Sequence, residues 1–427
     1  MFGKLRSAAR AAGLVAVTTA LTVLAACGGG GSSPAPVPAG LTYTSPVTTT
    51  VGVAMTALTP TLSQGASAYG AITYTVSPAL PAGITISSGS GVISGTPTTE
   101  TAQATYTITA ANASGSTTFA LSLKVDRPPP SAFTLSNLVS DGAVTAASTD
   151  PHLKNPWGLA WLPGGPMWVS NNQDQTSTIY DGTGLVQPLV VNIPGGVNGV
   201  GSVTGIVGSL STTEFNVTNG TTTAPARFIF VTESGTVSGW APGVDLTHAL
   251  VAFDSAAGGA VYKGLAIATR GSAQFLYAAD FHNNRIAVFD GTFAPVTVTG
   301  GFTDATLPAG YAPFNIQAVQ ISGNTVLVVT YAQQDATATD EVAGAGLGLV
   351  NTFDLDGTLL NHLIPVGGAL DAPWGVAMAP ADFGTLSGAL LIGNFGDGKI
   401  NGFNASTGEL IHVLADSAGT PIATEGL

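Results

Sequence analysis

The chain is almost without cysteine: Cys27 is the single thiol in 427 residues. One thiol cannot form a disulfide within the chain or build a thiolate metal cluster, whatever the redox compartment. Charge is scarce as well. Asp, Glu, Lys and Arg make up 8% of the residues, against about a quarter in an ordinary soluble domain. Cations are the scarcer sign, 11 against 24 acids, for a formal charge of −13. That balance repels phosphate backbones and anionic surfaces, and predicts no nucleic-acid partner. No long stretch shows helical periodicity, and the apolar run from Leu14 to Ala26 is shorter than the roughly 20 residues of a membrane span. Hydrophobic residues are nonetheless 45% of the chain, enough for large cores. Thr, Ser, Asn, Gln and Gly must therefore supply most of the polar surface.

The N-terminus carries Lys4, Arg6 and Arg10 with no acid, followed by that apolar run and by Leu24-Ala25-Ala26-Cys27. This order is that of a secretory signal, and its end resembles the lipobox of bacterial lipoproteins. Small residues before the cut fit the signal peptidase, and the Cys27 thiol accepts the lipid. Removing residues 1–26 takes away three cations and no acid, so the formal charge moves from −13 to −16. Gly28, where an Asp would retain the protein at the inner membrane, points by analogy to an outer-membrane lipoprotein on its periplasmic or cell-surface face. Residues 28–40 are a Gly/Ser/Pro tether. The membrane, reached through the lipid, is thus one expected partner.

Residues 41–125 alternate apolar and polar positions with period two, as in Ala71-Ile-Thr-Tyr-Thr-Val76 and Thr105-Tyr-Thr-Ile-Thr-Ala110, the pattern of half-buried strands. Leu80-Pro-Ala-Gly-Ile-Thr-Ile86, Gly91-Val-Ile-Ser-Gly-Thr-Pro97 and the turn Ala111-Asn-Ala-Ser-Gly115 resemble the Ig-like, cadherin-related modules of bacterial surface proteins. The resemblance implies a β-sandwich used as a spacer or adhesive unit. Some relatives of such modules hold calcium at clustered acids, but this block has one acid, Glu100, too few for such a cage. Residues 126–132, with Pro128-Pro129-Pro130, form a stiff hinge.

Residues 133–427 contain a loose repeat. Its copies begin at Asn155-Pro-Trp-Gly-Leu-Ala160, Val203-Thr-Gly-Ile-Val207, Tyr262-Lys-Gly-Leu-Ala266, Pro313-Phe-Asn-Ile316 and Pro373-Trp-Gly-Val-Ala377. Each is followed by two further apolar strands. A period of roughly 47–60 residues with three or four strands is that of a β-propeller blade. Leu276-Tyr-Ala-Ala-Asp-Phe-His-Asn-Asn-Arg-Ile-Ala-Val-Phe-Asp290 resembles an NHL repeat. Asp150 to Ala160, Val261 to Ile267, Leu307 to Gln317, Ala372 to Gly384 and Gly393 to Gly398 resemble a family of bacterial propellers from genomes with PEP-CTERM sorting systems. The expected class is all-β: an Ig-like β-sandwich followed by an NHL-like β-propeller. The resemblance implies six blades, of which the last is largely missing past Gly426-Leu427, with Phe133 to Val139 pairing onto the final blade; a five-bladed ring is the alternative.

Aligned by their apolar runs, the repeats place Asn171, Glu233, Asp280, Tyr331 and Asn394 just after each second strand, as a polar ring at one channel mouth. The resemblance to metal-binding propellers makes Glu233 and Asp280 the metal candidates, with a divalent cation such as calcium as the ligand class, since hard cations prefer oxygen donors. The competing and favoured expectation is that these side chains cap their own turns and that no cofactor is needed. Asp354-Leu-Asp-Gly-Thr358 resembles a dehalogenase-type phosphatase motif but reads better as a hairpin turn. His152, His248, His282, His362 and His412 form no ligand-like pair, and no Gly-x-Ser-x-Gly elbow is present. Trp157, Trp161, Trp168, Trp240 and Trp374 read as blade packing rather than a sugar-stacking face.

The expected function is a non-enzymatic, surface-anchored binding or scaffold protein with a protein or glycan ligand. The alternative is a metal-dependent lactonase- or lyase-like enzyme. The lipid anchor has a direct test. Cys27→Ser is expected to abolish palmitate labelling and to move the protein from the membrane pellet to the soluble fraction; a labelled Ser variant would refute the lipobox.

Overall fold

The structure is a computed structural model that describes residues 34–127 and 131–424. Cys27 and its lipobox lie outside the described residues, as do Gly426 and Leu427. Two compact units divide between residues 128 and 129, within the Pro-rich segment of the sequence.

In the first unit, β1 (Val47–Thr50), β6 (Gly115–Asp126), β5 (Thr101–Asn112) and β2 (Thr73–Ser77) form one sheet in that order. β1 pairs parallel to β6 and the other contacts are antiparallel. Alternation decides the faces: Tyr106, Ile108 and Ala110 of β5 and Leu121, Leu123 and Val125 of β6 are buried, while Thr105 and Thr107 face solvent. Asn112 turns the β5–β6 hairpin by accepting the Ser114 and Gly115 N–H groups on its side-chain oxygen at 2.9 and 3.1 Å. A smaller hairpin, β3 (Ile84–Ile86) with β4 (Ile93–Gly95), contributes Ile84 and Ile93 to the same core. Gly95 stands where a Cβ would collide with the Gly83 carbonyl, which accounts for the glycine in the Gly-Thr-Pro turn.

The second unit is a β-propeller. After a short parallel pair, β7 (Val139–Ser140) with β8 (Ser148–Thr149), five antiparallel sheets follow. The first holds β9 (Pro156–Trp161), β10 (Met167–Asn171), β11 (Thr176–Tyr180) and β12 (Val191–Asn192). The second begins with β13 (Val203–Gly208). A side hairpin, β14 (Asn216–Thr218) with β15 (Thr223–Pro225), precedes β16 (Phe228–Thr232), β17 (Thr236–Trp240) and β18 (Leu250–Asp254). The third has β19 (Tyr262–Arg270), β20 (Ala273–Asp280), β21 (Arg285–Phe289) and β22 (Pro295–Val296). The fourth has β23 (Tyr311–Ile321), β24 (Asn324–Gln334), the extra β25 (Glu341–Val342), β26 (Gly348–Phe353) and β27 (Leu359–Ile364). The fifth has β28 (Pro373–Met378), β29 (Leu390–Asn394), β30 (Ile400–Phe403) and β31 (Leu410–Val413).

The repeat starts seen in the sequence are the inner strands, and they pack in succession: β9 on β13, β13 on β19, β19 on β23, β23 on β28. Glycine permits this crowding near the axis. A Cβ on Gly205 would sit 2.6 Å from the Leu265 nitrogen of the next sheet, and one on Gly264 would sit 2.6 Å from Asn315 Cα. Gly158 meets Ile206 of the second sheet in the same way. Gly375 differs: the three atoms nearest to such a Cβ all belong to Gly393 of its own sheet, the closest at 3.4 Å. The expected sixth blade is not among the described residues. Phe133 does reach the fifth sheet's end, where its N–H donates to the Ala415 carbonyl at 2.9 Å and its ring packs on Phe383. The expected strand Phe133 to Val139 is reduced to a bridge at Ala132 and to β7. Asp354 to Thr358 is the predicted turn, joining β26 to β27.

The glycines give a paired test. Gly205→Ala is expected to destabilise the protein by about 2 kcal/mol, within the range for overpacking, and Gly375→Ala by well under about 1 kcal/mol, in denaturant titrations. Equal losses would contradict this account of the axis.

Candidate functional site

All five inner strands carry a β-bulge at the same place. The pairs Pro156–Asn171, Val203–Thr232, Tyr262–Asp280, Pro313–Tyr331 and Pro373–Asn394 are equivalent, and the register slips immediately after each. A bulge sets two residues opposite one and re-aims a side chain. The residues in that position are Trp157, Thr204, Lys263, Phe314 and Trp374.

The same register corrects the ring expected from the sequence. Thr232, not Glu233, occupies the position equivalent to Asn171, Asp280, Tyr331 and Asn394. The run of β16 that precedes this position, Phe228 to Val231, is one residue shorter than its alignment to the other repeats implied, and only pairing to the bulged inner strand reveals this. Nor do these side chains converge. Asn171 donates to Thr176 and Thr178 of its own sheet, and Asn394 to Asp397 and the Ala369 carbonyl. Asp280, fully buried, accepts from Asn283 and from Arg285 Nε at 2.9 Å. Tyr331 is buried in the core between the third and fourth sheets, where burial pushes its phenol pKa up. These four belong to their own blades, as turn caps or core.

The mouth is built from the bulged residues and the residue that follows each bulge partner: Asn172, Glu233, Phe281, Ala332 and Phe395. Most of it is aromatic. Trp157 lies 5.5 Å from Trp374, 5.4 Å from Phe395 and 5.9 Å from Phe314, and Phe314 lies 5.5 Å from Phe281. With Ala312, Ala332 and Ala372 they form a plug across the axis. The indole Nε1 atoms of Trp157 and Trp374 are buried without a hydrogen-bond acceptor.

One side of the plug is ionic. The Lys263 side chain, 1% exposed, places Nζ 2.5 Å from Glu233 Oε1, 3.1 Å from Asp340 Oδ1 and 5.2 Å from the centre of the Trp157 ring. Glu233 also accepts from Asn172 Nδ2 at 3.0 Å. Burial opposes the ammonium charge, but Glu233, Glu341 and Asp340 together outweigh it and raise the Lys263 pKa. Asp340 and Glu341 come from the segment after β24. It is held over the mouth by β25 pairing to Gln333 and Gln334, by His282 Nδ1 at 3.2 Å from the Ala338 carbonyl, and by the Gly344 N–H on Asp371. Glu341 Oε2 is buried without a partner, and burial raises its pKa, partly offset by Lys263.

Glu233 and Asp280, the metal candidates, thus serve different cations in different places. Among the described residues no group of three or more His, Cys, Asp and Glu is arranged to hold a metal ion. The histidines are dispersed: His152 pairs with Asp174, His248 with Asp245 and His362 with Asp304. Trp168 and Trp240 are core residues, and Trp157 and Trp374 belong to the plug. Trp161 departs from the expected packing role, being 60% exposed.

Beyond the plug the axis widens into a cavity of about 570 Å³ to which all five inner strands contribute. Leu159, Trp161, Leu265, Val376, Ala377 and Met378 are among its walls. None of its lining residues is ionisable. Sequence reasoning missed both the bulge ring and this cavity. The usable signal was the residue before each repeat glycine, which varies among Trp, Thr and Lys while the glycine recurs.

Residues 33–126 match the family described as "Putative Ig domain". A protein of Acanthamoeba polyphaga mimivirus described as uncharacterised is 36% identical over 299 residues, 68% of this chain and 71% of its own. A second such mimivirus protein is 30% identical over 297 residues, 68% and 76% of the two chains. Among solved structures, the β-propeller domain of Cps50 (Swd1) from Myceliophteria thermophila is similar with a TM-score of 0.35 and 12% identity, over 63% of this chain and 75% of that one.

The buried acid yields a pH prediction. Because burial raises the Glu341 pKa above its ordinary 4.5, the folded state favours the protonated form. Its stabilising share is complete below the unfolded pKa and is lost as pH rises through the folded one. Glu341→Gln is therefore expected to be more stable than the parent protein at pH 7, with the difference closing toward pH 4. Melting curves at the two pH values check it; a variant less stable at pH 7 would overturn the assignment.

Proposed function

The chain belongs to the family of these two mimivirus proteins, and we propose that it is an exported, lipid-anchored binding or scaffold protein that holds its ligand without transforming it. The observation that carries this reading is the disposition of charge on the propeller axis. Catalysis by general acid or base needs an ionisable group within hydrogen-bond reach of substrate, with a pKa near working pH. Lys263 is buried and held as a cation by Glu233 and Asp340. Glu341 Oε2 is shut away from solvent. The axial cavity has no ionisable lining. A metal-dependent lactonase or lyase would need Glu233 and Asp280 at one centre, and each is instead engaged with its own cation.

The address belongs to the same proposal: lipid on Cys27, a flexible tether, an Ig-like spacer and a propeller head, at the outer membrane as Gly28 suggests. The finer likeness to NHL-type propellers of bacteria with PEP-CTERM systems is supported by Asp280, which caps its turn as such a repeat requires.

Binding without turnover has a distinct readout. Purified full-length protein is mixed with a hydrophobic extract of spent culture medium, re-isolated by gel filtration, and its bound compounds are compared with the input by mass spectrometry. Compounds enriched on the protein are expected to have unchanged masses. A product mass that accumulates with time and protein would establish an enzyme instead.

A further inference from the structure

The axial cavity lies between the aromatic plug and the opposite mouth of the propeller. It is lined from Asn315 and Trp374, near the starts of their strands, to Trp161 and Met378, the final residues of β9 and β28. Its volume of about 570 Å³ lies inside the roughly 300–1,000 Å³ typical of small-molecule sites. Three observations define what fits.

The lining has no Asp, Glu, Lys, Arg or His, in a chain whose formal charge is −13. An ionised ligand would lose its hydration there with no counter-charge to replace it. Leu159 and Trp161, on one face of β9, are 50% and 60% exposed. The residues equivalent to Leu159 on the next three inner strands, Ile206, Leu265 and Ile316, are instead buried in cores shared with the preceding sheet. A solvent-facing Trp beside Leu at a cavity rim offers a flat apolar surface on which a ring can stack. Finally, the polar lining is amide. Asn315 Nδ2 is committed to the Trp374 carbonyl at 2.6 Å and Gln320 to Thr325. Gln317 makes no side-chain hydrogen bond among the described residues, so its amide can meet one polar group of a guest.

We propose that this cavity is a binding site for an uncharged, ring-bearing apolar molecule carrying a single carbonyl, hydroxyl or amine, stacked on Trp161 and hydrogen-bonded to Gln317. The site deepens the non-enzymatic binding reading and rests on it. Trp161 and Gln317 are the specificity-determining residues, and the charge-free walls exclude the ionised analogues of any ligand it accepts.

Two dyes that share a ring system test the idea on the full-length protein: uncharged N-phenylnaphthylamine and anionic anilinonaphthalene sulfonate. The neutral dye is expected to bind saturably at one site, with rising fluorescence, and the sulfonate at least about tenfold more weakly, a difference of roughly 1.4 kcal/mol. Trp161→Ala is expected to weaken the neutral dye by about tenfold, as for loss of a stacking anchor. It should leave the melting temperature unchanged, because the side chain is mostly exposed. Ala377→Arg, which sets a cation in the wall, is expected to reverse the preference in favour of the sulfonate. The proposal is overturned by no saturable binding of the neutral dye, by equal affinity for both dyes, or by dye binding indifferent to both substitutions. Failure here with unaltered compounds still recovered from the extract would place binding on another surface and leave the broader function standing. Altered compounds from the extract would remove that function whatever the dyes do.

Discussion

The propeller depends on how closely its inner strands approach one another at the axis. Three of the first sheets' strands manage this with a glycine whose absent side chain is replaced by the backbone or an inner residue of the next sheet. The fourth uses Asn315 at the same position and turns it to account, donating to the Trp374 carbonyl. The glycine or Asn follows a bulge, and the bulge frees one residue per strand to turn toward the axis. A single local device thus sets the sheet spacing and chooses the residues that form the mouth.

What those five residues are gives the mouth its character. Three of them, Trp157, Phe314 and Trp374, build a hydrophobic plug, and Thr204 ties the second sheet to the third through the Tyr262 carbonyl at 2.7 Å. Lys263 is the exception. An ammonium group under an aromatic plug would be costly unpaired, and the structure answers with Glu233 from the neighbouring sheet and acids from the segment after β24. Those acids draw that segment over the mouth. The ion cluster therefore reads as a structural lock at one end of the axis, which leaves the other end, charge-free and open, as the accessible cavity.

Much of the architecture was readable along the chain. Period-two alternation marks β5 and β6, and the recurring Trp-Gly, Thr-Gly, Lys-Gly and Trp-Gly steps mark inner strands with their true order. The Asp-Gly turn at Asp356-Gly357 and the hairpin at Asn112 follow from turn chemistry that acts within a few residues. The candidate site was less readable. Placing Glu233 in a ring with Asn171 and Asp280 compared apolar runs, whereas a strand's register is decided by its partner and here by a bulge on that partner. Trp161 was expected to pack because its repeat neighbours do. Its exposure reflects the open space beside β9, which no property of residue 161 itself encodes.

By itself, then, the sequence determined the all-β class, the division into an Ig-like and a propeller unit, the strand order, and the lack of a disulfide within the chain, because each follows from local periodicity, turn-forming residues or simple composition. Only the tertiary structure decided which polar residues cap their own turns, that Lys263 meets Glu233 and Asp340, and that a charge-free cavity lies on the axis. The Lys263 contacts bring together residues 30 and 77 positions apart, and such proximity, like the cavity, arises from sheet packing and bulge register rather than from neighbours in the chain.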